Sequence, residues 1–279
     1  MQRREDEFRG ERGTRIYFRV WRPEAPRAII VLVHGLGEHG GRYAHVVDCL
    51  VPRGFAVYAP DLRGHGCSDG LRGHVHRFTD YIGDVARLLD GVQAQEPGLP
   101  IFLYGHSLGA LIVLEWARQR PDGLQGVIAS GPALRRRFQV PPAKLLLARL
   151  VSRVWPTLSQ RTGLPAHLLS HDAQVVADYV ADPLVHDLAS ARLFTEATRA
   201  GEDLMARAFE LSAPCLFLQA GEDGLVDAGA TRWFFERLAS ADKTLHVYEG
   251  FYHELHNEVE RQRPLADLAG WLEAHLPQA

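Results

Sequence analysis

Gly105-His106-Ser107-Leu108-Gly109 is a G-x-S-x-G pentapeptide set between two apolar stretches. Ile101-Phe102-Leu103-Tyr104 before it reads as a buried strand. Ala110-Leu111-Ile112-Val113-Leu114-Glu115-Trp116-Ala117 after it reads as a helix. A serine on a sharp strand-to-helix turn is a nucleophile presented for attack. Gly105 and Gly109 lack side chains, so the strand and helix can approach closely there. The hydroxyl would project at the helix N-terminus, where free N–H groups and the helix dipole favour an oxyanion. Such a serine does covalent acyl transfer, and it needs a base, an acid to orient the base, and donors for the oxyanion.

Behind an elbow of this kind the chain order is Ser, then Asp or Glu, then His. The acid should therefore follow a later strand, and Pro214-Cys215-Leu216-Phe217-Leu218-Gln219 is one. In the turn after it, Asp223 between Glu222 and Gly224 is the first choice. Asp227 competes with it but also suits an N-cap for the next helix, and Glu222 is third. Among 14 histidines, His253 is the best placed, in a loop between the last strand and a terminal helix. Loops at the C-terminal edge of a parallel sheet are where ligand sites gather. His246 lies inside the strand and is expected to be packed, while His256 is near enough to share the site. The oxyanion donors expected are the backbone N–H groups of Leu108, directly after the serine, and Leu36, in the glycine-rich loop His34-Gly35-Leu36-Gly37.

These groups must be carried by a regular scaffold. Strand-like runs at residues 28–33, 55–59, 101–104, 124–129, 214–219 and 244–248 alternate with helical stretches, the pattern of a mostly parallel sheet. Residues 14–21 suit an antiparallel edge hairpin with the segment before them. About 82 residues separate Gly131 from Pro214, whereas a crossover needs about 10–20. The surplus, residues 133–194, is expected to be a helical cap over the catalytic edge. It opens on Arg135-Arg136-Arg137, and residues 143–155 mix Leu and Val with Lys144, Arg149 and Arg153. This stretch is either an amphipathic helix packed on the core or one that touches lipid.

A chain of 279 residues with 46% hydrophobic content can bury a sizeable core, which excludes disorder. A formal charge of −3 gives no reason to expect nucleic acid as a partner. Cys49, Cys67 and Cys215 are odd in number and widely spaced, which suits a reducing compartment. The opening Met1-Gln2-Arg3-Arg4-Glu5-Asp6-Glu7 is not a signal peptide, and no run has the length of a transmembrane span. A soluble cytoplasmic protein is expected, with any membrane contact peripheral. His74-Val75-His76 lacks a third ligand at metal spacing.

Taken together, the motifs resemble the monoacylglycerol lipase family of α/β-hydrolases over nearly the whole chain. The resemblance is carried by His34-Gly35-Leu36-Gly37-Glu38-His39 with Arg42-Tyr43, and by Asp61-Leu62-Arg63-Gly64-His65-Gly66-Cys67-Ser68. It continues through the pentapeptide, Asp182-Pro183-Leu184-Val185-His186, residues 219–227, and Tyr252-His253-Glu254-Leu255-His256. Ala110 departs from the glycine that many relatives carry there, which should affect packing only. The resemblance implies an α/β-hydrolase fold, a mostly parallel eight-stranded sheet with helices on both faces and an inserted helical cap. It divides the chain into core at 1–132 and 195–279 and cap at 133–194. It implies Ser107, Asp223 and His253 as the triad. It also implies that Glu38, Arg42 and His256 line the pocket end that receives glycerol hydroxyls, with a structural ion pair as the alternative for Glu38 and Arg42.

The expected activity is a serine carboxylester hydrolase that cleaves monoacylglycerols to glycerol and fatty acid, with no metal or organic cofactor. A lysophospholipase or broad carboxylesterase is the enzyme alternative, and a hydrolase-fold ligand-binding protein the non-enzyme one. Ser107 in the nucleophile position rules out chemistry that uses an aspartate nucleophile.

Overall fold

Continuous apolar runs become strands buried on both faces, because only a sheet covered by helices on either side keeps every side chain dry. The computed structural model describes residues 1–120, 123–138 and 140–277. Its strands are β1 (Gln2–Arg9), β2 (Arg15–Arg22), β3 (Ala28–Val33), β4 (Phe55–Pro60), β5 (Ile101–His106), β6 (Gly126–Ser130), β7 (Ser159–Arg161), β8 (Leu188–Ser190), β9 (Cys215–Ala220) and β10 (Lys243–Tyr248). Eight of them form one sheet in the order β1-β2-β4-β3-β5-β6-β9-β10. β1 and β2 pair antiparallel, as do β2 and β4. The remaining pairs are parallel.

The period of two divides each central strand between two cores. Ile29, Val31 and Val33 of β3 join Leu103 of β5 on one face, while Ala28, Ile30 and Leu32 join Phe102 and Tyr104 on the other. Helices α1 (Ala44–Leu50) and α8 (Gln262–Ala274) cover the second face. Helices α2 (Phe78–Gln95), α3 (Leu108–Gln119), α6 (Ala191–Ala206) and α7 (Ala228–Glu236) cover the first. The sheet and its covering helices are those of the α/β-hydrolase fold.

Between β6 and α6 lie α4 (Pro142–Val154), the β7–β8 ribbon and α5 (Ala173–Ala181). Beside its helices the insertion carries this short antiparallel ribbon. Residue 194, the expected end of the insertion, falls inside α6 rather than at a break. The reason is that Leu193, Ala200 and Leu204 on one face of α6 all enter the main core. The insertion is tied down at two places. His186 N–H donates to Gly37 O at 2.8 Å, and His39 Nε2 lies 2.8 Å from Asp182 Oδ2. On the other side Glu254 N–H donates to Leu169 O at 2.8 Å, and Ser170 Oγ donates to Asn257 O at 2.9 Å.

The elbow is closely packed against β3. A Cβ on Gly109 would overlap the Val33 carbonyl oxygen and lie 2.5 Å from that of His34. Gly109→Ala is therefore expected to destabilise the protein by about 1–3 kcal/mol, read from the urea unfolding midpoint. Gly270→Ala is the control: a Cβ there meets nothing within 4 Å on α8, and helix propensity predicts a gain of about 0.5–1 kcal/mol.

Candidate active site

Ser107 sits between the end of β5 and the start of α3 with φ 53° and ψ −113°. Arg12 is the other described non-glycine residue at positive φ. Ser107 N–H donates to Ser130 O at 3.0 Å, and Ala133 N–H donates to Ser107 O at 3.2 Å. The backbone is thus fixed on both sides while the side chain stays half-buried at the site. A built Cβ on Gly35 would stand 3.2 Å from Ser107 Cβ, so the Leu36 loop passes directly beside the serine. Among the described residues, neither the Leu36 nor the Leu108 N–H is paired with a backbone acceptor. Both are available where a carbonyl attacked by Ser107 would carry its negative charge.

Asp223 lies in the turn after β9, wholly buried. Its Oδ1 accepts the Leu225 and Val226 N–H groups at 2.8 and 2.9 Å, and its Oδ2 lies 2.7 Å from His253 Nδ1. That bond places the proton on Nδ1 and leaves Nε2 free to act as the base. Burial works against charge on both partners. For Asp223, the His253 charge and hydrogen bond outweigh burial and hold its pKa below the ordinary value. For His253, Asp223 outweighs burial, with Glu254 and Glu38 adding to the rise. Of the competing acids, Asp227 caps α7 by accepting the Gly229 N–H at 2.9 Å, and Glu222 is exposed. His246, expected to be packed, is half-exposed instead, because β10 is the edge strand of the sheet.

Glu38 is buried and fully used by its own loop. Oε1 accepts the Gly35 N–H at 2.7 Å and the Tyr43 hydroxyl at 2.8 Å, while Oε2 accepts Arg42 Nη1 at 2.8 Å. Arg42 also forks onto Glu254, with Nη1–Oε1 at 2.6 Å and Nη2–Oε2 at 2.7 Å. Burial pushes the Glu38 pKa up. It also pushes on Glu254, but the Arg42 charge prevails and brings that group to about 2.

Glu38, Arg42 and His256 were expected to line the hydroxyl-binding end together. Only Glu38 reaches the cavity wall, and the guanidinium of Arg42 is committed to its two carboxylates. His256 lies behind the wall, stacked on Tyr43 at 4.5 Å between ring centroids, with both ring nitrogens unpartnered. Burial holds its pKa near 3, so the ring is neutral.

The cavity itself is about 50 Å³. Ser107, His253, Leu36, Glu38, His106 and Glu254 form its catalytic side; Leu164, Pro165, Ala166, Leu169, Tyr179 and Leu225 close it opposite. Sequence reasoning missed Glu254, His106 and Tyr179 as wall residues. His106 and Glu254 could have been found as immediate neighbours of Ser107 and His253, but nothing in the cap sequence marks Tyr179.

The Asp61 to Ser68 turn braces this edge. Asp61 Oδ1 accepts Arg19 Nη1 at 2.7 Å and the Gly40 N–H at 2.9 Å, and Oδ2 accepts the Cys67 N–H at 2.8 Å. His34 Nδ1 donates to the Gly35 carbonyl and Nε2 accepts the Leu62 N–H, and burial keeps the ring neutral, with a pKa near 4.

A serine on a strained elbow beside a carboxylate-bound imidazole, on a sheet of this order, defines a serine hydrolase of the α/β-hydrolase class. Comparison with known proteins gives the family. A family profile described as serine aminopeptidase, S33, matches residues 24–260. A protein named monoacylglycerol lipase from Mycolicibacterium smegmatis is 37% identical, and the match covers 98% of each chain. Phospholipase YtpA of Bacillus subtilis is 34% identical over 87% of this chain and 94% of its own. The crystal structure of a monoacylglycerol lipase from Paleococcus ferrophilus superposes with a TM-score of 0.83 at 35% identity, covering 99% of this chain and 100% of that one. The chain belongs to the monoacylglycerol lipase family of α/β-hydrolases.

The two aspartates can be separated by experiment. Asp223→Asn would favour the wrong imidazole tautomer and should lower kcat by about 10⁴-fold on a soluble ester. Asp227→Asn should leave kcat within about twofold, since asparagine also caps helices. The opposite ranking would move the acid to Asp227.

Proposed function

We propose that the protein hydrolyses monoacylglycerols to glycerol and free fatty acid. The observation that carries this reading is the His253–Asp223 pair facing the same small cavity as Ser107. His253 Nε2 takes the Ser107 Oγ proton as the oxygen attacks the ester carbonyl. The Leu36 and Leu108 N–H groups hold the tetrahedral oxyanion. On collapse the C–O bond to glycerol breaks, and His253 returns the proton to the leaving alkoxide. Water then enters, gives a proton to His253, and attacks the acyl-enzyme; release of the acid restores Ser107. Residues 133–194 serve as the cap over this chemistry.

Tyr179, on α5, supports recognition of the glycerol end. Its ring lies over the Arg42 guanidinium at 4.6 Å while the residue lines the cavity, and burial lifts its pKa to about 12. The hydroxyl therefore stays protonated and can both donate to and accept from a glycerol hydroxyl. The phospholipase relative makes a lysophospholipase the second reading. Against direct pairing with a cationic headgroup or substrate amine stands the bonding of the wall acids, whose oxygens are taken by Arg42, the Gly35 N–H, the Tyr43 hydroxyl and Asn257.

The outward face of α4 supports contact with an anionic lipid surface. Leu146, Leu147, Leu150, Val154 and Trp155 are exposed there beside Lys144, Arg149 and Arg153. Arg136 takes no part, because it turns inward onto Thr198. No described helix is long and apolar enough to cross a membrane. The free thiols of Cys49, Cys67 and Cys215 suit a reducing, cytoplasmic setting.

Ser107→Ala should lower kcat on a monoacylglycerol by about 10⁴-fold or more, and a fluorophosphonate should label the wild type at Ser107 alone. Labelling elsewhere, or turnover by the variant, would overturn the reading. Tyr179→Phe should reduce the preference for a monoacylglycerol over the matching methyl ester by about 5–10-fold, the worth of roughly one hydrogen bond. An unchanged ratio would remove Tyr179 from the glycerol site. If lysophospholipids outpace monoacylglycerols in the same assay, the second reading replaces the first.

For the α4 surface, the Arg149→Glu and Arg153→Glu double variant should sediment at least about tenfold less with phosphatidylglycerol vesicles, at about 1 kcal/mol per basic residue lost. Its turnover of a soluble short-chain ester should be unaltered. Equal sedimentation would leave α4 as a packing element only.

A further inference from the structure

Arg42 stands between two buried carboxylates from opposite halves of the site. Glu38 belongs to the loop of the Leu36 donor and holds the Gly35 N–H. Glu254 directly follows His253, and its own N–H is tied to Leu169 O at 2.8 Å. Asn257 Nδ2 donates to Glu254 Oε2 at 2.8 Å, so this carboxylate has partners on every side. Building on the hydrolase reading above, we infer that Arg42 and Glu254 are positioning residues for the reaction. Their forked ion pair sets the spacing between the loop carrying the base and the loop carrying the oxyanion donor. The surplus negative charge of the Glu38–Arg42–Glu254 set favours the imidazolium that forms on His253.

The geometry argues for spacing. Two parallel N–H···O bonds fix orientation as well as distance, which a single ammonium contact would not do. Proton transfer to His253 and charge capture at Leu36 belong to one step, and misplacement of about 1 Å can cost about 10²-fold in rate. Stability alone does not explain such a set, since buried ion pairs can often be replaced by apolar groups without loss.

The charge argument follows from a count. One guanidinium against two carboxylates leaves one negative charge buried near His253. The other charged or titratable groups facing His253 are Asp223, His106 and His256, with Arg137 reaching the Asp223 carbonyl. Burial, helped by the neighbouring histidines, takes the His106 pKa well below its ordinary value, and burial takes His256 to about 3. Both rings are neutral, so they do not cancel the surplus charge. The segment of the insertion packed on this loop offers His253 the Leu168 carbonyl, at 3.4 Å from its N–H.

Glu254→Gln keeps the shape and removes the charge. The His253 pKa, followed by NMR titration of its ring protons, should fall by about half a unit or more. The acid limb of kcat/KM on a soluble short-chain ester should move to lower pH by the same amount. kcat should drop about tenfold with KM unchanged, as for an interaction realised in the transition state. Glu254→Asp retains the charge but is one methylene too short for the fork. It should lose kcat at unchanged KM while leaving the His253 pKa in place, and it carries the test if Glu254→Gln does not fold. Wild-type kcat in Glu254→Asp, or an unmoved His253 pKa in folded Glu254→Gln, would overturn the inference. A wild type without esterase turnover would overturn the hydrolase reading instead, and the NMR shift would still decide whether Glu254 acts on His253.

Discussion

The catalytic edge depends on keeping Ser107 at a positive φ, a conformation that costs a non-glycine residue about 1–3 kcal/mol. Three features prevent relaxation. Ser107 is bonded through its N–H to Ser130 and through its carbonyl to Ala133, so neither flanking peptide can rotate freely. Gly105 and Gly109 let β5, α3 and β3 close to distances that no Cβ would permit. From Leu108 to Leu114 every residue of α3 is buried, so the helix cannot turn to relieve its own first residue. The strain is local, and the core that sustains it extends through most of the sheet's first face.

The loops around the serine have little regular structure, and buried carboxylates take over the role of a hydrogen-bond ladder. Asp61 holds the Gly40 and Cys67 N–H groups, Glu38 holds Gly35, and Asp223 holds Leu225 and Val226. Each such anion is matched by a cation or imidazole: Arg19 for Asp61, Arg42 for Glu38, His253 for Asp223. Removing one partner would strand a buried charge, which is far more costly than the pair is stabilising. The result is a set of loops with one geometry each, and preorganised donors of that kind are what lowers the barrier to acyl transfer.

Much of this was legible because the relevant signals are local. Continuous apolar runs marked the parallel strands, and the paired glycines marked the elbow. Asp223 was separable from Asp227 by its place in the turn. What depended on contacts remote in sequence was not legible. Glu38 and Arg42 were read as ligand-facing or as a structural ion pair; the pair is present, and Arg42 is also claimed by Glu254, 212 residues downstream. His256 looked like a pocket residue by proximity, yet its ring is turned onto Tyr43. The three-residue strands β7 and β8 are too short for a period of two to register. α6 runs past the expected boundary because its apolar face continues the core without interruption.

The cap raises a question of volume. Pockets that bury a small ligand are usually about 300–1,000 Å³, whereas the cavity at Ser107 is about 50 Å³. That volume matches the reacting ester group rather than a whole acyl chain. The segments at 168–171 and 182–186 are stitched to the two catalytic loops and cannot shift without disturbing them. Leu164, Pro165 and Ala166 lie in the same wall, and among the described residues none of their backbone groups is bonded to either catalytic loop. The insertion is therefore divided in its contacts: one part shares the rigidity of the loops around Ser107, and the other is bonded to neither of them.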